Sequence, residues 1–349
     1  MALTVVGCVG LVTRKEQAMK HLKWGLLAAG RIAGRFATGL NTNTDQATCL
    51  AVASRDLAKA QKFAEEHKVA RAYGSYDELL ADKDVDAVYI STPNSLHAEW
   101  STKAAKAGKH ILCEKPVTSN APELQKVLRA IKRCDVFFME AFMYRCHPQW
   151  KKLLEIIKAG TIGEVRIIQS AFAFNMGMQL DNLRMSNPLA GGGLMDVGCY
   201  CVSFCRLVAG EEPKTCHAVA RIGKQSRVDE YATGVLQFPS GVVATFACGT
   251  QCGTPSAANV YGSKGSIVVT NPWFPSDENA KLIVSADGKT ETIEVKYGRD
   301  LYANEALTVA ENLRRRQAKP TAMTWDDSLG QARTMDKLRA SMGLKFDCE

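Results

Sequence analysis

Three side chains spread along this 349-residue chain could together move a proton. Glu114-Lys115-Pro116 places an amine directly after an apolar run, and Asp196 and Tyr200 stand four apart, so on a helix they project from one face. A phenol exchanges protons poorly near neutral pH unless a neighbouring cation favours its ionised form. With Lys115 at about 4 Å from Tyr200 and an effective dielectric of about 20, the attraction is roughly 4 kcal/mol, enough to bring a phenol from about 10 toward about 7. Tyr200 would then act as general acid and base, Lys115 would lower its pKa and orient the reacting hydroxyl, and Asp196 would hold the substrate. The same pair also fits a buried tyrosine that merely satisfies its hydroxyl on an apolar helix.

A second group of residues could hold a phosphorylated cofactor. Ala28-Ala29-Gly30-Arg31-Ile32-Ala33 lies between an apolar strand and a helix, and fits a dinucleotide fingerprint as AxGxxA. Gly30 lets the backbone approach a pyrophosphate, whose charge then rests on the free N–H groups of the following helix, although small residues there also serve plain packing. Ser54-Arg55 ends the second strand, where a guanidinium suits a ribose 2′-phosphate; this favours NADP, with NAD possible through the adjacent Asp56. The bland alternative makes Arg55 a surface charge and Ser54 a helix N-cap. Thr92, Pro93 and Asn94 leave a third buried strand at its carboxyl edge, followed by His97, and Glu114 and Lys115 end another strand at the same rim. His97 also fits a satisfied histidine at a helix start.

The elements that must position these groups can be read in outline. Strand LKWGLLAAG, helix RIAGRFATGLN, strand Thr48 to Ser54, helix RDLAKAQKFAEEH, strand Asp86 to Thr92, helix Trp100 to Ala107 and strand Lys109 to Cys113 alternate at short intervals. That rhythm predicts an α/β fold, a doubly wound parallel sheet of the Rossmann type. After Met143 it changes: a helix from Pro148 to Gly160, the strand GEVRIIQSAFAF, a Gly191-Gly192-Gly193 run into an apolar helix ending at Ala209, then six short strands from Lys214 to Val295. Successive strands without helices predict a C-terminal α+β domain on an open, largely antiparallel sheet. The expected division is an extension over 1–20, a nucleotide-binding domain over 21–145, and a substrate and oligomerisation domain over 146–349.

Composition narrows the function classes. Apolar residues form 46% and charged residues 23%, which excludes disordered and fibrous classes. The net charge of +8 suits anionic ligands, while the only dense basic run, Arg314-Arg315-Arg316, reads as a solvated helix end and not a nucleic-acid surface. Twelve cysteines without a CxxC pair predict reduced thiols, no metal site and a cytoplasmic location. The apolar stretch from Ala2 to Val12 precedes its basic residues, the reverse of a signal peptide, and no segment reads as a membrane span. Glu140 and Arg145 are expected to form an ion pair at the domain junction, with Arg145 or Tyr144 in reach of a sugar hydroxyl; Phe174, Asn175, Trp273 and Phe274 read first as ordinary packing and second as candidate substrate walls.

The segments AAGRIA, STPNSLH, AGKHILCEKP, MEAFMYRCHPQ, IGEVRIIQSAF and GGGLMDVGCY, from Leu22 almost to the end, resemble the Gfo/Idh/MocA family, and EKP with GGGxxxDVGxY is its specific pair. The resemblance implies a Rossmann domain for NAD(P), a C-terminal sheet that often mediates oligomerisation, and site roles for Lys115, Asp196 and Tyr200. Tyr at 200 is similar to the glucose–fructose oxidoreductase, D-xylose 1-dehydrogenase and dihydrodiol dehydrogenase branch, where inositol dehydrogenases have His. Ala28 departs from the glycine of many relatives. The function implied is hydride transfer between a nicotinamide and a sugar, polyol or dihydrodiol, in a homo-oligomer. The alternatives are a glycoside hydrolase that retains NAD and a non-catalytic ligand sensor; the intact Lys115 and Tyr200 speak against the sensor.

Overall fold

The computed structural model describes residues 21–43 and 47–349. The expected extension over 1–20 lies outside the described residues. A parallel sheet comprises β1 (Leu22–Leu27), β2 (Ala47–Ala53), β3 (Arg71–Tyr73), β4 (Ala87–Ile90), β5 (His110–Glu114) and β6 (Phe138–Ala141), in the order β3-β2-β1-β4-β5-β6. Its connections are α1 (Arg31–Asn43), α2 (Leu57–His67), α3 (Tyr76–Ala81), α4 (His97–Lys106) and α5 (Ala121–Cys134). Helices cover both faces, so a central strand has no polar side: all four residues of β4 are fully buried. The N-cap of α2 is Asp56, whose carboxylate accepts from the Ala58 and Lys59 N–H groups; Ser54, expected as a possible cap, instead accepts from Asp56 N at 3.3 Å.

The second sheet follows α6 (Gln149–Lys158). Its strands are β7 (Val165–Ala173), β8 (Thr215–Ile222), β9 (Asp229–Gln237), β10 (Val243–Gly249), β11 (Ala257–Gly262), β12 (Gly265–Val269), β13 (Lys281–Ala286) and β14 (Lys289–Glu294). They run in the order β14-β13-β12-β11-β7-β10-β9-β8, and β7 with β10 is the one parallel pair among them. Along β9 the buried Ala232 and Leu236 alternate with the exposed Tyr231 and Val235, the signature of a sheet packed on one side. That side rests on α7 (Cys199–Ala209), which a single π turn, Leu194–Gly198, leads into. The segment 187–209 is long and apolar enough to cross a bilayer by composition, yet 83% of its most apolar window is buried inside the protein, as befits a core helix.

Two further helices bind the sheets together. α8 (Leu301–Asn312) packs on α1 of the first sheet, and α9 (Trp325–Ser341) touches both α5 and α7. Arg145 belongs to this junction, but its partner is not Glu140. Its guanidinium donates to Asp327 at 2.7 Å, to Ser203 at 2.9 Å and to the Thr321 carbonyl at 2.6 Å. Glu140 instead accepts from Val117 N at 3.1 Å, and burial pushes its carboxyl up to about 7. Tyr144 is fully buried: its ring lies tilted against that of Tyr200 and its hydroxyl donates to the Tyr200 carbonyl at 3.4 Å, which turns it away from a sugar. The basic run ends in the turn after α8, where Arg316 pairs with Asp135 at 2.5 Å.

Candidate active site

Strand order reverses between β1 and β4, and the crevice outside their carboxyl ends is where open α/β sheets bind ligands. Both rims predicted to hold a cofactor line this crevice. Gly30, Arg31 and Ile32 come from the turn after β1, Thr92, Pro93, Asn94 and His97 from the turn after β4, and Glu114 and Lys115 from the end of β5. A Cβ at Gly30 would meet no atom within 4 Å, so the turn faces open cleft with room for a diphosphate at the N-terminus of α1. Ala28 sits at φ +97°, a conformation that favours glycine; its Cβ is the local strain of a departure from the fingerprint. Arg55 is exposed beside the end of β2.

Not every rim residue is free to bind. The His97 ring is buried with Nδ1 2.9 Å from the Pro116 carbonyl and Nε2 2.8 Å from that of Thr92, so it braces the two turns against each other. Burial pushes its pKa down to about 4, against the pull of those carbonyls. Asn94 Nδ2 donates to the Ala190 carbonyl at 2.8 Å, tying the nucleotide half to the loop before the glycine run. Glu114 is half-buried: it accepts from the Tyr89 hydroxyl and from Lys115 N, and desolvation raises its pKa although the Lys115 charge opposes that.

The second half supplies the opposite wall. Phe172, Phe174, Leu183, Arg184, Asp196, Tyr200 and Phe274 face the same cavity of about 650 Å³ as Lys115. Trp273 follows the packing reading and not the wall reading: it is fully buried behind Tyr200 with its indole N–H donating to the Ala171 carbonyl at 3.0 Å, and Asn175 Oδ1 accepts from Gly177 N. A groove of about 620 Å³ beside α1 and α2 continues the cavity past Gly30, Arg31, Arg35 and Tyr302.

Lys115 and Tyr200 do meet, but not as an ammonium beside a phenol oxygen. The Lys115 Nζ lies 5.0 Å over the Tyr200 ring centroid, a cation–π contact. It donates to the Asp196 carbonyl at 2.6 Å and sits 3.4 Å from Asp196 Oδ1. The Tyr200 hydroxyl donates to Met143 Sδ at 3.2 Å. Burial, with Glu114 and Tyr302 nearby, therefore holds the Tyr200 phenol well above its ordinary value, and the expected fall toward neutrality is absent in this arrangement. The cation reaches the ring face rather than the oxygen because Asp196, one turn earlier, anchors it. Burial works against the charges of both partners, yet their attraction prevails: the Lys115 pKa is raised and that of Asp196 lowered.

Asp196 departs from its expected role for the same reason. Its second oxygen, Oδ2, accepts from Arg184 Nε at 2.5 Å, so both oxygens are engaged by protein. Arg184 carries no periodic signal and belongs to the loop preceding the glycine run. The one clue lies in that run: a Cβ on Gly191 would fall 2.6 Å from the Leu183 carbonyl and 2.7 Å from that of Arg184, so glycine lets the loop press in. Gly192 N then donates to the Arg184 carbonyl at 2.8 Å, fixing its backbone.

Among the described residues no group of His, Cys, Asp or Glu is placed to hold a metal ion, and the described cysteines are free thiols. The arrangement therefore offers a nucleotide turn, a phenol, an ammonium and an aromatic wall, the parts of a hydride-transfer site.

Comparison with known proteins agrees with that chemistry. Residues 22–142 match the family model of the GFO/IDH/MocA oxidoreductases with an NAD-binding Rossmann fold, and residues 150–268 match the GFO/IDH/MocA C-terminal domain. The mouse trans-1,2-dihydrobenzene-1,2-diol dehydrogenase is 34% identical over 334 residues, covering 93% of this chain and 98% of its own. A D-xylose 1-dehydrogenase (NADP(+)) from Haloferax volcanii is 37% identical over 295 residues, covering 83% of this chain and 88% of that protein. The crystal structure of a 3-ketoreductase from Actinomadura kijaniata with NADP and TDP-benzene superposes with a TM-score of 0.84 at 26% identity, covering 92% and 98% of the two chains. Since both halves match, in order, the paired domains of one family, and full-length relatives exceed 30% identity, this chain belongs to the Gfo/Idh/MocA family of NAD(P)-dependent oxidoreductases.

Proposed function

We propose that the protein is an NADP-dependent dehydrogenase that oxidises a ring hydroxyl of a dihydrodiol or a pyranose sugar and reduces the matching carbonyl. The carrying observation is that Lys115 and Tyr200, 85 positions apart, line one cavity with the Gly30 turn. The nicotinamide supplies the hydride acceptor when bound. Gly30, Arg31 and Ile32 would hold the diphosphate, Arg55 the 2′-phosphate, and Tyr200 would exchange the proton of the substrate oxygen. Lys115 would orient that oxygen and Asp196 would fix Lys115. A relative named for NADP, and a similar structure solved with it, support the phosphorylated cofactor. Phe172, Phe174 and Phe274 offer apolar faces on which a flat ring can rest.

The test is a screen of trans-dihydrodiols and D-xylose with NADP and NAD in parallel, repeated across pH. Because burial holds the Tyr200 phenol above its ordinary value, it is protonated at neutral pH, ready to donate but not to accept. Hence kcat/KM for oxidation should rise about tenfold per pH unit across the neutral range, while kcat/KM for carbonyl reduction stays flat. An oxidation plateau already reached at pH 6 would refute this reading of Tyr200.

We infer a division near residue 145, supported by the end of the first sheet at Ala141 and the bounds of the family matches. The free thiols support a cytoplasmic setting. The open face of the second sheet supports a homodimer: Ile167, Val219, Tyr231, Val235 and Val243 are exposed there, and Val243 stands directly opposite Ile167. Light scattering should give twice the monomer mass, and V235D should shift it toward one; a wild-type monomer at micromolar concentration would dismiss the dimer.

A further inference from the structure

We infer that Arg184 reads a second oxygen on the substrate, on the carbon next to the one that gives up hydride; this rests on the dehydrogenase reading above. Arg184 spends one nitrogen on the protein, Nε on Asp196 Oδ2 at 2.5 Å. Among the described residues neither terminal nitrogen has a hydrogen-bond partner, and the side chain is 32% exposed in the cavity wall. The guanidinium carbon lies 5.9 Å from the Phe174 ring centroid, which holds the plane of the fork beside the aromatic wall.

Two other polar side chains of the cavity are already taken. Asn94 donates to Ala190, and both carboxylate oxygens of Asp196 are bonded. A ligand resting on Phe172, Phe174 and Phe274 therefore meets the free fork of Arg184 on one side and, on the other, Lys115 with Tyr200, whose hydroxyl proton must turn from Met143 Sδ to reach it. A single carboxylate group separates the two cations, with Lys115 Nζ at 3.4 Å from one oxygen and Arg184 Nε at 2.5 Å from the other. Both therefore border one small ligand, and its neighbouring oxygens are the ones they can share. An isolated alcohol would leave the fork without an acceptor, and such unmade bonds discriminate strongly between substrates.

The comparison is trans-cyclohexane-1,2-diol against cyclohexanol, with NADP, for wild type, R184K and R184M. Wild type should favour the diol at least about tenfold in kcat/KM, and both variants should bring the ratio to within about threefold, mainly through KM for the diol. Lysine keeps the charge that Asp196 needs but not the fork. A ratio retained in R184K and lost in R184M would show that the arginine acts only through Asp196, and a ratio retained in both would show that it reads nothing; either result overturns the inference. If wild type oxidises neither alcohol, the dehydrogenase reading fails separately, and diol binding decides the present one. Trp273, at 5.9 Å from Tyr200, provides a fluorescence signal for that titration with NADP present. Diol affinity at least tenfold weaker in R184M sustains the inference, and equal affinity ends it.

Discussion

Tyr200→Phe should keep cofactor binding and lose at least about 10²-fold in kcat, within the range that a positioned acid–base group contributes. The substitution isolates the hydroxyl cleanly. The ring packs edge-on against Phe142, Phe172 and Trp273, at centroid distances of 5.4, 5.4 and 5.9 Å, and a phenylalanine ring keeps all three contacts. The hydroxyl itself donates only to the weakly accepting Met143 Sδ, so its removal should change stability by less than about 1 kcal/mol. A large fall in turnover with an unshifted melting curve and unshifted NADP titration would therefore report chemistry. Turnover equal to wild type would remove the phenol from the reaction.

Much of this site was legible before any coordinates, and the reasons differ by residue. Gly30, Lys115, Asp196 and Tyr200 announce themselves because each sits where a regular element ends or repeats, and strand ends in a parallel sheet share one edge. Most of the long strands and helices are legible for the same reason, the 14-residue α5 being the exception. Short elements are not: β3 has three residues, α3 six and β6 four, and β11, Ala-Ala-Asn-Val-Tyr-Gly, has too few large apolar positions to alternate.

Ionic partners were less legible still. Asp327 lies 182 residues beyond Arg145, so Glu140, five residues away, looked the natural mate. Arg184 sits in a loop without periodicity, and its tie to Asp196 depends on close approach to Gly191. The sequence could place an amine and a phenol at one cleft; it could not orient them. That needed the third party, Asp196, whose own carbonyl and carboxylate draw Lys115 over the ring.

Lys115→Met tests that orientation and should cost at least about 10³-fold in kcat, or about 4 kcal/mol of transition-state stabilisation. Methionine fills a similar volume without charge, so the packing over the Tyr200 ring persists while the cation is lost. Asp196 would keep Arg184 at 2.5 Å as its remaining counter-ion, so the buried carboxylate is not orphaned. The stability loss should therefore stay under the 3–5 kcal/mol typical of a buried charge left alone. The phenol would lose the nearby positive charge while Glu114 and Tyr302 remain, so the pH needed for residual alcohol oxidation should move further up. The decisive measurement is the double variant with Tyr200→Phe. If ammonium and phenol act as one unit on the substrate oxygen, removing both should cost little more than removing the worse of the two, because either loss alone already disables the proton transfer. Losses that simply multiply would mean that Lys115 and Tyr200 serve separate steps, and the shared site proposed for them would have to be abandoned.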